Sequence, residues 1–165
     1  MPSVSFEEFL IWKKKQLSKG GDQQSFAVLL DCIGGLSASD LNLMSINLEG
    51  KLHLKKKLEF LESVWHDHLL NSCPIQYLCG ITFWRDLKLK VTKKVLIPRP
   101  ETELIVDIVF NIFRRKSEKL FFAELGTGSG AISIALALAY PSSDGVATDI
   151  DQDALEIATK NFINS

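Results

Sequence analysis

The sequence predicts an α/β chain in which an N-terminal helical bundle is followed by a β-hairpin connector and then by alternating strands and helices. Three observations lead to this prediction. Apolar residues recur at helical spacing through 1–73. Two short runs of strand character flank a two-residue turn within 74–98. Strongly apolar strands then alternate with helices in 99–165, an order that is typical of a parallel sheet.

The composition excludes several classes of protein. The chain has 165 residues, of which 46% are hydrophobic, and this is enough apolar material for a packed core. The 19 basic and 20 acidic side chains leave a formal charge of −1, so binding of nucleic acid by charge alone is not expected. No apolar run reaches the roughly 20 residues of a membrane helix, and the first residues lack the apolar core of a secretory signal. We expect a cytoplasmic protein with no direct nucleic-acid or membrane partner.

Helices in 1–73 follow from one capping pattern and from the apolar stripes. Ser5, with Glu8 three residues later, forms a capping-box pattern at the start of the first helix. Apolar stripes predict further helices at 26–33 and 54–69, with a short helix at 37–44. Because each stripe needs a partner, we expect the helices to pack as a small bundle.

The connector begins where Pro74 ends the helical region. Runs at 81–84 and 87–91 predict two antiparallel strands, with Arg85-Asp86 as their turn. Arg85 stands where a tight turn favours a small residue. Proline on both sides of Arg99 restricts the backbone and keeps it extended, so we expect a stiff segment at 98–100.

The last part of the chain predicts a helix, then strand, helix, strand and helix. The helix from Glu101 should bury an apolar face that begins at Leu104. The run 120–125 is continuously apolar, which predicts a strand that is covered on both faces. The remaining elements are expected at 131–139, 145–150 and 151–161, with Asp151 as the cap of the last helix.

A glycine-rich loop at 126–130 joins the strand 120–125 to the next helix. Glycine permits positive φ and lets a ligand approach the backbone closely, and the following helix N-terminus favours a carboxylate or phosphate group. Asp149 ends the next strand about 20 residues further on, where an acid can accept hydrogen bonds from a ribose diol. The loop, the helix and this acid predict a site for a cofactor that carries a nucleoside.

Two cofactor classes fit the loop. Gly126, Gly128 and Ala131 satisfy the dinucleotide fingerprint, which indicates an NAD(P)-binding oxidoreductase fragment. The alternate glycines 126, 128 and 130, preceded by Glu124, instead resemble the first motif of class I S-adenosylmethionine methyltransferases, as does the helix that precedes the strand. A module that binds a cofactor without catalysis is a further alternative. The histidines and cysteines show no metal-ligand spacing, so no metal site is expected.

Three segments, 74–80, 95–103 and 124–131, resemble the HemK/PrmC glutamine methyltransferases. The resemblance covers the chain from Pro74 onward by motif and the residues before it by architecture. It implies a helical substrate-recognition bundle at 1–73, a connector at 74–98 and the first part of a class I, Rossmann-like domain at 99–165. The implied activity is transfer of a methyl group from S-adenosyl-L-methionine to the glutamine amide in the Gly-Gly-Gln loop of peptide chain release factors. The alternative is a module that binds a release factor or a cofactor without catalysis.

The resemblance also implies which residues bind the cofactor. They are Glu124, Gly126, Thr127, Gly128, Ser129, Gly130 and Asp149, together with Arg99, Thr102 and Glu103 from the second segment. Glu124 stands where Asp is commoner in the family. The family holds its substrate amide with an Asn-Pro-Pro-Tyr loop, which this sequence does not contain. We therefore assign no catalytic residue, expect this chain alone to be inactive, and expect self-association through an uncovered sheet edge.

Overall fold

A computed structural model describes residues 1–37, 39–42, 50–114 and 119–165. The chain forms two compact units, Met1–Cys79 and Gly80–Ser165. Both units contain helices and small two-stranded sheets, so the predicted mixture of helix and strand is confirmed. The bounds 1–73, 74–98 and 99–165 stay a prediction, because compactness alone does not show which residues recognise a substrate.

The first unit is built around aromatic side chains from its helices. Its described elements are β1 (Ser3–Ser5), α1 (Phe6–Leu17), α2 (Gln23–Leu29), a π-helical turn (Leu30–Gly34), β2 (Lys51–His53), α3 (Leu58–Leu70) and α4 (Ile75–Cys79). Phe26 of α2 meets Trp65 of α3 edge-on, with 4.8 Å between the ring centroids. Both side chains are buried, and the Trp65 indole N–H donates to the Gln16 carbonyl at 3.3 Å. The core therefore ties α1, α2 and α3 together.

Local hydrogen bonds explain where two of these helices begin. The Ser5 hydroxyl accepts a hydrogen bond from the Glu8 N–H at 3.2 Å, so the predicted cap of α1 is confirmed. Asp22 caps α2 in the same way, since its carboxylate accepts from the Ser25 N–H at 2.8 Å. Each cap satisfies an N–H group that has no partner within its helix.

The expectation that 1–73 is purely helical is wrong. β1 and β2 pair as antiparallel strands, with Val4 opposite Leu52. Leu54 follows β2, and α3 begins only at Leu58. The apolar residues 52 and 54 alternate with polar neighbours, a period of two that the longer helical stripe concealed.

Two further helix predictions differ from the structure or lie partly outside it. The chain continues as α4 directly after Pro74, because proline is tolerated at the start of a helix, where its missing N–H needs no partner. Of the short helix expected at 37–44, residues 39–42 are helical, while 38, 43 and 44 lie outside the described residues.

The second unit contains a hairpin and a parallel strand pair. Its described elements are β3 (Ile81–Trp84), β4 (Leu87–Lys90), a 3₁₀ turn (Pro100–Thr102), α5 (Glu103–Ile112), β5 (Phe121–Leu125), α6 (Ala131–Ala139), β6 (Asp144–Thr148) and α7 (Gln152–Ile163). β3 pairs antiparallel with β4, and β5 pairs parallel with β6. The predicted hairpin, the order of the elements and the parallel pairing are confirmed.

The hairpin turn accommodates Arg85 in a left-handed conformation, with φ of +50°. Its guanidinium donates to the Asp107 carboxylate at 2.8 Å and to the Glu103 carbonyl at 3.2 Å. It also lies over the Phe110 ring, 5.5 Å from the centroid. These contacts with α5 offset the strain of positive φ at a residue with a side chain, so the two-residue turn forms without a small residue.

Two burial predictions in this unit are wrong. Phe121 and Leu125 of β5 are 76% and 82% exposed, because alternate side chains of the strand point to a face that the described residues leave open. In α5 the expected face around Leu104 is exposed, and Val106 is the buried residue. The stripe that contains Val106 packs with α6, whereas the wider apolar stripe has no such neighbour among the described elements. Self-association through an uncovered sheet edge stays a prediction.

Candidate functional site

The glycine-rich loop lies between the end of β5 and the start of α6. Gly126, Gly128 and Gly130 have φ of +73°, +55° and +84°, so all three adopt the left-handed conformation that glycine favours. A Cβ at Gly126 or Gly128 would meet nothing within 4 Å, whereas one at Gly130 would lie 3.2 Å from the Ala158 Cβ. The first two glycines therefore face open space, where a ligand can approach, and the third packs against α7.

Thr148, the last residue of β6, holds the start of the loop. Its carbonyl accepts hydrogen bonds from the N–H groups of Gly126 and Thr127, both at 2.8 Å. Its hydroxyl donates back to the Glu124 carbonyl at 3.2 Å. The first turn of the loop is thus held against the end of the neighbouring strand, and the loop and the next residue, Asp149, lie side by side.

Asp149 binds the backbone on both of its sides. One carboxylate oxygen accepts a hydrogen bond from the Gly128 N–H at 2.8 Å, and the other accepts from the Asp151 N–H at 3.0 Å. These two bonds, with that from Asp151 the stronger influence, hold the pKa of the Asp149 carboxyl below its usual value. The group is therefore ionised at neutral pH, so both of its oxygens act only as hydrogen-bond acceptors.

Glu124 turns into the loop. One of its carboxylate oxygens accepts from the Thr127 hydroxyl at 2.7 Å, from the Ser133 N–H at 3.1 Å and, in a short contact, from the Ser133 hydroxyl. Ser133 is the third residue of α6, and Gly130, at the cap position, has no side chain to serve this N–H. Glu124 therefore caps α6 although it lies several residues before the cap position, and its negative charge lies near the positive end of the helix dipole.

The remaining loop residues are largely buried. The exposed fractions of Thr127 and Ser129 are 5% and 3%, and the Ser129 carbonyl accepts a hydrogen bond from the Asn161 amide at 2.8 Å. Sequence reasoning missed both Ser133 and Asn161. The signal for Asn161 was its place in the inward-facing stripe of α7, where it follows Ala154 and Ile157 at helical spacing.

The segment that contains Arg99, Thr102 and Glu103 is bound to the hairpin. The Trp84 indole N–H donates to the Arg99 carbonyl at 2.9 Å, and the Arg85 N–H contacts the Glu103 carboxylate at 3.4 Å. Thr102 lies in the 3₁₀ turn, with its N–H on the Arg99 carbonyl. Among the hydrogen bonds of the described residues, none joins these three to the glycine-rich loop. The structure thus brings seven of the ten candidate residues together and holds the other three on the hairpin.

A cavity of about 480 Å³ lies between β6, α6 and α7. It touches the buried side of the loop at Thr127 and Gly130, but its lining includes neither Gly128 nor Asp149. Most of its lining is apolar, with Phe122 and Leu155 among its residues. It is a half-open groove with several exposed residues in its lining, and Gly128 and Asp149 of the candidate site lie outside it.

The described part of the chain contains no cluster of three or more His, Cys, Asp or Glu side chains that could hold a metal ion. Within the same residues, no helix has the length and apolar character needed to span a membrane.

Comparison with known proteins shows similarity along most of the chain. It is 44% identical over 159 residues to a release factor glutamine methyltransferase of Prochlorococcus marinus, covering 96% of this chain and 54% of that protein. Proteins of the same name from Synechocystis sp. and Gloeobacter violaceus are 36% and 34% identical, over 96% and 92% of this chain and 55% and 52% of theirs. No family model matches. The chain spans about half the length of these curated relatives.

Proposed function

Because the chain belongs to the release factor glutamine methyltransferase family, we propose that 99–165 forms the cofactor-binding first part of a class I, Rossmann-like methyltransferase domain. The methyl donor in this proposal is S-adenosyl-L-methionine. One observation carries it: the 2.8 Å hydrogen bond between the Gly128 N–H and Asp149. This bond brings the strand-end acid against the open side of the glycine-rich loop, where a nucleoside with an attached chain fits.

The ten candidate residues take four roles in this proposal. Asp149 accepts hydrogen bonds from the ribose hydroxyls, since each of its oxygens has a second lone pair beyond its backbone bond. Gly126 and Gly128 admit the methionine part of the cofactor, because no side chain occupies the space before them. Glu124, Thr127, Ser129 and Gly130 shape the loop from its buried side. Arg99, Thr102 and Glu103 border the site from the hairpin.

The proposed substrate is the glutamine of the Gly-Gly-Gln loop in peptide chain release factors, recognised by segment 1–73 with its helices and its β1–β2 strand pair. When bound at the glycine-rich loop and Asp149, S-adenosyl-L-methionine would supply an electrophilic methyl group for the glutamine amide nitrogen; the electrons of the broken carbon–sulfur bond would stay on sulfur, and the proton of the nitrogen would pass to solvent. An amide lone pair is delocalised, so the rate depends on positioning and electrostatics. This chain contains no Asn-Pro-Pro-Tyr segment, and we propose that by itself it binds the donor without turnover.

The test of the cofactor site is calorimetry of S-adenosylmethionine binding to the 165-residue chain and to Asp149→Asn. Loss of the charged acceptor should weaken binding about tenfold to a hundredfold, because hydrogen bonds to charged groups are the strong ones. Asp144→Asn is the matched control, since Asp144 lies at the opposite end of β6 and pairs with Lys119. Unchanged affinity in Asp149→Asn would reject Asp149 as the ribose acid.

Two other outcomes would overturn the wider proposal. Tight binding of NADH, with no binding of S-adenosylmethionine, would favour the dinucleotide-binding alternative. Methyl transfer to a release factor by the 165-residue chain would show that the Asn-Pro-Pro-Tyr segment is not required. Binding of S-adenosylmethionine without transfer is the result that we expect.

A further inference from the structure

Asn161 is a buried amide within the apolar stripe of α7. Ala154, Ile157 and Asn161 follow at helical spacing, and all three are buried, with Asn161 only 3% exposed. Burial of an amide without partners is unfavourable, so a buried asparagine needs hydrogen bonds. An apolar residue at this position would complete the stripe without that requirement. We therefore expect the hydrogen bonds of Asn161 to account for an asparagine in this apolar stripe.

The Asn161 side chain joins three separate parts of the second unit. Its Nδ2 donates to the Ser129 carbonyl at 2.8 Å and to the Lys90 carbonyl at 3.0 Å. Its Oδ1 accepts from the Lys90 N–H at 2.7 Å. Both amide protons and the amide oxygen are thus engaged, and all partners are backbone groups. One side chain fixes the glycine-rich loop to the end of β4 and to α7.

These contacts hold the loop at Ser129, next to Gly128, which faces the open space where a ligand can approach. The Gly128 N–H donates to Asp149, which follows β6, and the carbonyl of the next residue, Ser129, accepts from Asn161 of α7. Two adjacent residues of the loop are therefore anchored by two different parts of the unit. A loop that is held in its binding conformation before the ligand arrives loses less conformational entropy on binding.

We infer that Asn161 is a positioning residue that holds the glycine-rich loop in its ligand-binding conformation. The choice of asparagine follows from the contacts. Aspartate has the same shape and keeps an acceptor for the Lys90 N–H, but its carboxylate has no proton to donate to the two carbonyls. Glutamine is one methylene longer, and serine has one donor in place of two. The effect on the cofactor rests on the function proposed above, whereas the effect on the loop does not.

The test compares Asn161→Asp with Asn164→Asp in the full chain. Asn164 is the matched control, because it lies exposed at the end of the same helix and its side-chain amide donates to the nearby Lys160 carbonyl. Amide hydrogen exchange followed by NMR reports on the loop, and calorimetry with S-adenosylmethionine reports on the ligand. In Asn161→Asp we expect the Gly130 amide to exchange about tenfold faster and the dissociation constant to rise about tenfold. The Lys90 amide should stay as slow as in the wild type.

The outcomes separate this inference from the proposed function. If Asn161→Asp leaves both loop exchange and S-adenosylmethionine affinity within twofold of the wild type, the positioning role is wrong and the cofactor site stands. If the loop exchanges faster but the wild type binds no S-adenosylmethionine, the positioning role stands and the proposed cofactor is wrong. Changes of equal size in Asn164→Asp would also overturn the inference.

A measurement on the wild type covers the case in which Asn161→Asp does not fold. The side-chain amide protons of Asn161 should exchange at least about tenfold more slowly than those of Asn164, because the two Asn161 protons are buried and hydrogen-bonded. Equal exchange rates for the two side chains would overturn the inference without any variant.

Discussion

Replacing Glu124 with alanine tests the contact that organises the start of α6. The substitution removes the carboxylate that accepts hydrogen bonds from the Thr127 hydroxyl and from the N–H and hydroxyl of Ser133. Thr127 and Ser133 are both buried, so water does not readily replace the lost acceptor. We expect α6 and the glycine-rich loop to be destabilised together.

The expected magnitude follows from the number and the kind of these bonds. Hydrogen bonds to a charged group contribute about 1.5–3 kcal/mol, and loss of a helix N-cap costs about 1 kcal/mol. The three bonds share one oxygen and are not additive, so Glu124→Ala should lower the opening free energy of α6 by about 2–4 kcal/mol. Glu124→Gln keeps an acceptor and loses the charge, and should cost about half as much.

Amide hydrogen exchange measures this free energy at single residues. The Ile134 N–H, which donates to the Gly130 carbonyl in the first turn of α6, is the reporter. The amide of Trp65 in α3 belongs to the other compact unit and serves as the control in the same sample. A change of less than about 0.5 kcal/mol at Ile134 in Glu124→Ala would refute the capping role.

Two further predictions concern the pH dependence of the Asp149 contact and the effect of alanine at two glycines of the loop. The pKa of Asp149 is lower in the folded chain than the unfolded value of about 3.9, so the stabilisation by this carboxylate is present above that pH and is lost as the pH falls through the folded pKa. The NMR shift of the Gly128 amide should therefore titrate with a midpoint below about 3.9. A midpoint above about 4 would contradict the lowered pKa. Gly130→Ala should be less stable than Gly126→Ala by about 1–3 kcal/mol in urea unfolding, because only its Cβ meets Ala158; equal losses would contradict this reason.

Much of the fold was accessible from local patterns. The cap at Ser5, the two-residue hairpin turn and the order of β5, α6, β6 and α7 each depend on residues that are close in sequence. The errors arose where contacts between distant residues decide. The β2 strand at 51–53 forms because β1 pairs with it, and its short alternation was hidden within a longer helical stripe.

The candidate site shows the same division. The glycines and Asp149 were identified from their spacing, because a loop between strand and helix needs positive φ and the acid follows the next strand. The spacing does not predict that Glu124 caps α6, since the contact of Glu124 with Ser133 depends on how the loop folds back. Asn161 lies 32 residues from Ser129 and 71 from Lys90, and no local pattern relates residues at such separations.

The kind of element at most positions, the glycine-rich loop with its acid, and the family of the chain follow from the amino-acid sequence, because backbone preferences and motifs act over a few residues. The buried face of α5, the cap that Glu124 forms on α6 and the link from Asn161 to β4 and the loop follow only from the packed structure. Burial and hydrogen bonding each need two surfaces, and the packing of the whole unit selects the partner of each surface.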